Sequence, residues 1–194
     1  MPRVSDEYRA ARREQIARAA IRALSRKGVP HTSMADIIEE AGVSAGSFYS
    51  NFRDKAELGR YVARSVLGAR LQEFAELADG DHVVTPRAAL DAILGSVGRE
   101  VPAALVVQFW AESTTDAALA EAVRDTITGL EAEFAAIVLP WARERTASEA
   151  AAGALAASTA SALAAIAQSW ILRSAIVGAP EPAVYLDAIS AALG

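Results

Sequence analysis

The chain has 194 residues, of which 53% are hydrophobic and 22% charged, with a formal net charge of −5 and no cysteine. This composition suits a folded chain of one or two domains, and it excludes a disulfide framework and a thiolate zinc site. With two histidines in the whole sequence, a histidine-built metal cage is not expected either, and we predict no metal and no cofactor.

Hydrophobic spacing predicts an all-α chain, because no segment alternates β-branched and polar residues as a half-buried strand does. The first helix is predicted over residues 6–27, with Gly28 as its C-terminal stop. The residues before it contain no apolar core of a secretory signal, so we expect a cytoplasmic protein. Arg9, Arg12 and Arg13 are expected to form a solvated basic face of this helix.

Two short helices around a glycine turn are predicted next. Ser33 begins the first of them, and Asp36 three positions later has the spacing of a capping box. Gly42 marks the turn, and Ser44 is the expected N-cap of the second short helix, which should run from residue 45 to about residue 51. This layout is that of a DNA-binding helix-turn-helix.

Longer helices are predicted to make up the rest of the chain. Pro140 is expected to kink or end one of them near Trp141, because proline lacks an amide hydrogen. The approximate ranges of these six helices are 54–78, 86–100, 102–113, 116–141, 149–177 and 182–193.

The two short helices need a buried seam to pack on each other and on the first helix. Ala41 and Gly42 are small where two helices must cross closely. The residues expected to face inward are Ile37, Ile38, Ala41, Val43, Phe48 and Phe52.

The outward-facing residues carry hydroxyl, phenol and amide groups suited to phosphates and base edges. Gly46 leaves room for the backbone to approach DNA, and the hydroxyls of Thr32 and Ser33 serve as caps, as phosphate contacts or as both. Lys55 stands in the first turn of a helix, where a cation is disfavoured unless it binds a phosphate together with the free N–H groups. The predicted DNA-contacting residues are Thr32, Ser33, Ser44, Ala45, Gly46, Ser47, Tyr49, Ser50, Asn51 and Lys55.

Charge supports this interpretation only weakly. Residues 1–60 carry 11 Lys/Arg and 8 Asp/Glu, a net charge of +3, whereas the remaining residues have a net charge of −8. A basic end on an acidic body is typical of a polyanion-binding protein, but a solvated charged helix gives the same balance.

A family pattern runs through the first third of the chain. It consists of Ile16-x-x-Ala19-Ala20, Gly28, Thr32-Ser33-Met34, Asp36-Ile37, Ala41-Gly42-Val43-Ser44, Gly46-Ser47-Phe48-Tyr49, Phe52 and Lys55-x-x-Leu58. With these residues, positions 10–58 resemble the N-terminal domain of the TetR family of transcriptional regulators, and residues 41–58 are the most specific part. Several positions depart from the family pattern. Leu24 and Val29 stand where larger aromatic residues are common, Ile38 replaces a frequent alanine, and Asn51 stands where histidine is frequent.

The resemblance implies a helix-turn-helix DNA-binding domain, residues 1–53, and a helical ligand-binding and dimerisation domain, residues 54–194. It implies a phosphate contact for Tyr49 and a homodimer through helices 149–177 and 182–193 on double-stranded operator DNA. The expected function is that of a ligand-responsive repressor, released from a palindromic operator by a small, mostly apolar effector. A DNA-binding regulator without an effector is the alternative. An all-helical enzyme is the weakest reading, because the sequence contains no catalytic set and no phosphate-binding loop.

An effector site would need large or polar residues on otherwise apolar helices. A helical tryptophan serves as often in a core or an interface, and an unpaired, inward-facing Glu112 would favour a cationic ligand. The candidates are Gln108, Phe109, Trp110, Glu112, Trp141, Gln168 and Trp170.

Residues 150–172 carry no charge, and this length is sufficient to span a bilayer. Most of these residues are alanine or serine, which gain little from lipid. Small side chains let two helices approach closely, so we expect a helix–helix interface here and no membrane partner.

Overall fold

The computed structural model describes residues 6–62, 83–96, 101–178 and 180–193. Within these ranges every regular element is a helix, which confirms the predicted all-α fold. The remaining parts of the predicted helices 54–78 and 86–100 lie outside the described residues. The helices are α1 (Asp6–Lys27), α2 (Met34–Ala41), α3 (Ala45–Tyr49), α4 (described over residues 55–62), α5 (Pro86–Ser96), α6 (Ala103–Glu112), α7 (Ala117–Arg143), α8 (Glu149–Val177) and α9 (Pro182–Leu193).

Local sequence signals account for most helix ends. Helices α1, α8 and α9 have the predicted bounds. Gly28 follows α1 with φ +83°, a left-handed conformation that glycine adopts without steric cost. Ser148 caps α8, with its side chain accepting a hydrogen bond from the Ala151 amide at 3.2 Å. Helix α3 ends at Tyr49, two residues before its predicted end.

Pro140 lies inside α7, which continues to Arg143. The predicted end near Trp141 is therefore two residues short. The proline removes one amide donor in the last turn, where its exposed ring is tolerated. Beyond it the Arg145 guanidinium lies 4.7 Å from the centroid of the Trp141 ring, so the chain after Pro140 still packs on the helix.

The chain forms two compact units, one of Met1–Arg64 with Gln108–Val123 and the other of Ser65–Val107 with Arg124–Gly194. The division differs from the predicted functional boundary between residues 53 and 54, which stays a prediction. In the first unit, residues of α4, α6 and α7 share a small apolar cluster. Its members are Ala56, Phe109, Leu119 and Ala122.

In the first unit α1 packs against α2. Ile37, Ala41, Phe48 and Phe52 are buried, as predicted. The other two residues of the predicted seam, Ile38 and Val43, are only half-buried.

In the second unit α5 packs on both α8 and α9. Alanines 152, 156 and 160 of α8 are buried at a spacing of four, which lets neighbouring helices approach closely. Larger buried residues complete this core, and Trp170 is among them, with its indole Nε1 lacking a hydrogen-bond partner within the described residues. The bulkiest of the others are Leu90, Ile93, Leu94, Phe134, Leu163 and Leu186.

Helix α8 is also long and apolar enough to cross a membrane, by length and composition only. The same test is passed by core helices of proteins that have no membrane span. One third of the apolar window of α8 is buried inside the protein.

Candidate nucleic-acid interface

Helix α2 begins at a complete capping box. The Ser33 side chain accepts a hydrogen bond from the Asp36 amide at 3.2 Å, and the Asp36 carboxylate accepts one from the Ser33 amide at 2.8 Å. Lys27, at the end of α1, donates to the other carboxylate oxygen at 2.6 Å. The predicted box is therefore confirmed, and it also ties the start of α2 to the end of α1.

These contacts make the start of α2 acid-sensitive. The Lys27 ammonium and the Ser33 donors hold the pKa of Asp36 well below its ordinary value of 3.8. A carboxylate whose folded-state pKa is depressed contributes stability that is complete above the ordinary pKa and is lost as the pH falls toward the folded-state value. Between about pH 5 and about pH 2, urea unfolding should therefore show a steeper loss of stability for the wild type than for Asp36→Asn.

The same charge change at an exposed position of α7, Asp125→Asn, is the control for this experiment. It should leave the pH dependence close to that of the wild type. Parallel pH profiles for the wild type and Asp36→Asn would contradict a role for this carboxylate.

The turn after α2 is held from both sides. Gly42 has φ +63°, and its amide donates to the Glu39 carbonyl at 3.1 Å. The Gln15 side chain of α1 donates to the carbonyl of Ala41 at 3.0 Å, which satisfies a carbonyl at the helix end. The turn between the two short helices is thus fixed against α1.

Helix α3 buries one side and exposes the other. Phe48 is fully buried, whereas Tyr49 is 54% exposed. The exposed side carries neither an acidic nor a basic residue, and a Cβ built at Gly46 would meet no atom within 4 Å. We call this side the recognition face, and its exposed residues are Ser44, Ala45, Gly46, Tyr49 and Ser50.

Three other predicted contact residues are not part of this exposed set on α3. Ser33 is exposed at its cap position, and Ser47 and Asn51 are half-buried. The Asn51 amide group and the Ser50 hydroxyl each donate to the Ser47 carbonyl at 2.8 Å. These bonds close the C-terminal end of α3 and fix the two side chains on its surface.

Thr32 and Lys55 are directed into the protein. Thr32 is 3% exposed, and its hydroxyl donates to the Gly28 carbonyl at 2.7 Å, so its side chain is not presented to DNA. The Lys55 ammonium donates to the carbonyls of Val29 and Thr32, the latter at 3.1 Å. Partial burial lowers the pKa of Lys55. The negative charges of Glu112 and Asp116 raise this pKa and offset part of the decrease. A phosphate contact of Lys55 stays a prediction.

Arg13 corrects the expectation of a solvated basic face. Its guanidinium is half-buried and donates to the Asn51 carbonyl at 2.6 Å. It also lies 4.3 Å and 4.8 Å from the ring centroids of Phe52 and Tyr61. The signal was available in the sequence, because Arg13 is three residues before the buried Ile16 and so lies on the inner face of α1.

The effector candidates divide between the two compact units. Residues 108, 109, 110 and 112 belong to the first unit, and Trp141, Gln168 and Trp170 belong to the second. The Gln108 side-chain oxygen accepts a hydrogen bond from the Val29 amide at 2.8 Å, and Phe109 packs in the cluster with Leu119. Gln108 and Phe109 therefore both contact other residues of the first unit.

Comparison with known proteins identifies what the chain is similar to. Residues 16–62 match the family model described as bacterial regulatory proteins, tetR family. The HTH-type transcriptional regulator TtgR of Pseudomonas putida is 35% identical over 101 residues, which span 52% of this chain and 48% of TtgR, about half its length. The HTH-type transcriptional regulator BetI of Burkholderia mallei is 30% identical over 193 residues, covering 93% of this chain and 89% of BetI.

A solved structure shows the same fold over nearly the whole chain. The reduced form of E. coli NemR aligns with a TM-score of 0.64 at 21% identity. The alignment covers 93% of this chain and 96% of that one. The helix-turn-helix and the helices after it therefore follow one known architecture.

Proposed function

The chain belongs to the TetR family of transcriptional regulators, whose DNA-binding element is the helix-turn-helix, and we propose that it acts as a homodimeric repressor of palindromic operators. The recognition face carries this proposal. It is polar, uncharged and open at Gly46, so the backbone of α3 can approach a groove closely. We further propose a cytoplasmic location, where such DNA would be bound.

Each contact on the recognition face has a chemical role in this proposal. The Ser44 hydroxyl and the Tyr49 phenol can donate to phosphate oxygens and base edges. The Ser50 hydroxyl donates to the Ser47 carbonyl, so it offers its oxygen as an acceptor for a base amino group. The Ser33 hydroxyl is bonded to Asp36, so a phosphate contact of Ser33 would require this bond to exchange on binding. Because no ionic side chain lies on α3, base reading depends on few hydrogen bonds and on the fit of a small surface.

Selection of DNA from a randomised duplex pool tests this function directly. The purified chain should enrich a two-fold symmetric sequence, because a symmetric dimer presents two recognition faces. The enriched duplex should bind at least about 1,000-fold more tightly than a scrambled one at physiological salt. Enrichment of no sequence would overturn the proposal.

An uncharged stripe on α8 supports the dimer. Seven of its exposed residues recur at spacings of three and four, which places them along one side of the helix. At its C-terminal end the side chains are large and apolar, with Ile176 70% and Val177 66% exposed, and Val184 of α9 is 60% exposed. Such a stripe is suited to a second copy of the same helix. Its members are Ala154, Ser158, Ser161, Ala165, Ser169, Leu172 and Ile176.

Ile176→Asp should therefore convert the dimer to a monomer. The residue is exposed in the single chain, so the substitution spares the fold and buries an unpaired charge only when two copies meet. Self-association should weaken at least about a hundredfold, because burying such a charge costs several kcal/mol and each step of about 1.4 kcal/mol is tenfold. Sedimentation analysis measures this change.

Val83→Asp is the control for the dimer prediction. Val83 is also a β-branched apolar residue of the second unit and is 38% exposed, but it lies outside α8 and α9. This variant should sediment as the wild type does. A dimer that survives Ile176→Asp unchanged would place the interface elsewhere.

Release by a small effector is the remaining part of the proposal. A response to a small molecule is typical of the family. Within the described part of the second unit, the buried side chains are apolar apart from the Trp170 indole N–H. An effector bound among them would be mostly apolar, with at most a few polar groups placed against donors of this kind.

A further inference from the structure

Residues 28–32 form the loop that leads to the Ser33 cap of α2, and three side chains of the described residues bond to its backbone. The Thr32 hydroxyl donates to the Gly28 carbonyl at 2.7 Å, which is a local contact. The other two holding side chains come from distant positions, Lys55 and Gln108. The position of the helix-turn-helix entrance therefore depends on α4 and α6 as well as on its own sequence.

Val29 is the residue on which these distant contacts meet. Its side chain is fully buried. Its carbonyl accepts from Lys55, and its amide donates to the Gln108 side-chain oxygen at 2.8 Å across 79 positions of sequence. A part-buried amide that loses its acceptor bears the full cost of its desolvation, so Gln108 fixes this peptide group in place.

Two glycines let α6 come close enough for this bond. A Cβ at Gly28 would lie 3.2 Å from the Gln108 side-chain oxygen, and a Cβ at Gly59 would lie 3.2 Å from a ring carbon of Phe109. Both distances are tighter than ordinary van der Waals contact. Two consecutive residues of α6 thus rest against glycines of the loop and of α4, and this seating sets where the Gln108 oxygen lies.

We propose that Gln108 is a positioning residue for DNA recognition, and not a reader of the effector. By holding the Val29 amide it fixes the loop that carries the Ser33 cap and hence the start of α2. The inference rests on the proposed operator recognition, since it assigns Gln108 to the geometry of that same surface. Gln108 would act through the backbone, with no contact to DNA of its own.

Two substitutions separate the acceptor from the shape of the side chain. Gln108→Met keeps the length of the side chain but removes the acceptor, whereas Gln108→Glu keeps an oxygen for the Val29 amide. Hydrogen exchange of the Val29 amide should be at least about tenfold faster in Gln108→Met, because a lost hydrogen bond of about 1.4 kcal/mol corresponds to a factor of ten. In Gln108→Glu the exchange should stay within about twofold of wild type.

The DNA readout is the ratio of affinities for the duplex enriched by the wild type and for its scrambled version. Gln108→Met should lower this ratio by up to about tenfold, because the specific complex must then order the loop at a cost no larger than the lost hydrogen bond. Gln108→Glu should restore the ratio. A residue that only stabilises the fold would lower the unfolding temperature and leave the ratio unchanged.

The possible failures can be told apart. If the wild type enriches no duplex, the proposed function is wrong, and with it the role of Gln108 in recognition. If the wild type enriches a duplex and Gln108→Met keeps the full ratio, the inference about Gln108 is overturned while the proposed function stands. Equal losses in Gln108→Met and Gln108→Glu would also overturn it, because the acceptor would then not be the property that matters.

Discussion

Phe48→Ala should destabilise the helix-turn-helix by about 3–5 kcal/mol, the usual cost of removing a buried phenylalanine ring. Phe48 is fully buried on the inner side of α3, a helix of five residues that cannot be stable by itself. Its ring lies 6.2 Å from that of Phe52, which in turn lies 5.3 Å from that of Tyr61. Loss of the first ring removes the packing that holds α3 on the first unit.

Urea unfolding monitored by circular dichroism measures this loss. The neighbouring substitution Tyr49→Ala is the matched control, because Tyr49 is also aromatic but is 54% exposed. It should change stability by less than about 1 kcal/mol, as surface substitutions usually do. Similar losses for the two variants would mean that α3 is not seated through Phe48.

The features that the sequence predicts well are local ones. A capping box needs only Ser33 and Asp36 at a spacing of three, and a left-handed turn needs only Gly42 at the end of α2. Each signal predicts the conformation of residues that lie within one helical turn of it. For this reason the bounds of α1, α8 and α9 could be predicted without any knowledge of tertiary structure.

Side-chain roles that depend on distant partners could not be predicted in the same way. From the sequence, Lys55 is a cation at an unfavourable position in the first turn of a helix. Nothing in the sequence indicates that its ammonium group donates to the carbonyls of Val29 and Thr32. Gln108 reads as a polar residue on an apolar helix, which is equally typical of a ligand site. No periodicity connects two positions 79 residues apart, so the bond to Val29 appears only in the folded structure.

Arg13 is an intermediate case. Its position relative to Ile16 places it on the buried side of α1, but its charge favours the solvated interpretation. The two interpretations are reconciled by the rings of Phe52 and Tyr61, which accept the guanidinium on their faces. A periodic pattern can give the direction of such a side chain, whereas its partners come from other helices.

Gly46→Glu should abolish operator binding while leaving the fold intact, and this separation is the sharpest test of the recognition face. A Cβ at Gly46 meets no atom within 4 Å, and glutamate is a better helix former than glycine. A carboxylate in the first turn of α3 is also favoured by the helix dipole, so stability should be unchanged or slightly higher. On DNA the same carboxylate would face phosphates, and like charges in contact cost several kcal/mol, which weakens binding at least about a hundredfold.

The control for this last variant is Gly129→Glu, which adds the same charge at another helical glycine with no atom within 4 Å of a built Cβ. Fluorescence anisotropy with the duplex enriched by the wild type should show full binding for Gly129→Glu and none for Gly46→Glu at the same concentration. Thermal unfolding of both variants should stay close to the wild type. If Gly46→Glu is folded and still binds with wild-type affinity, then α3 does not face DNA at Gly46, and the recognition face would have to be sought on another surface of the first unit.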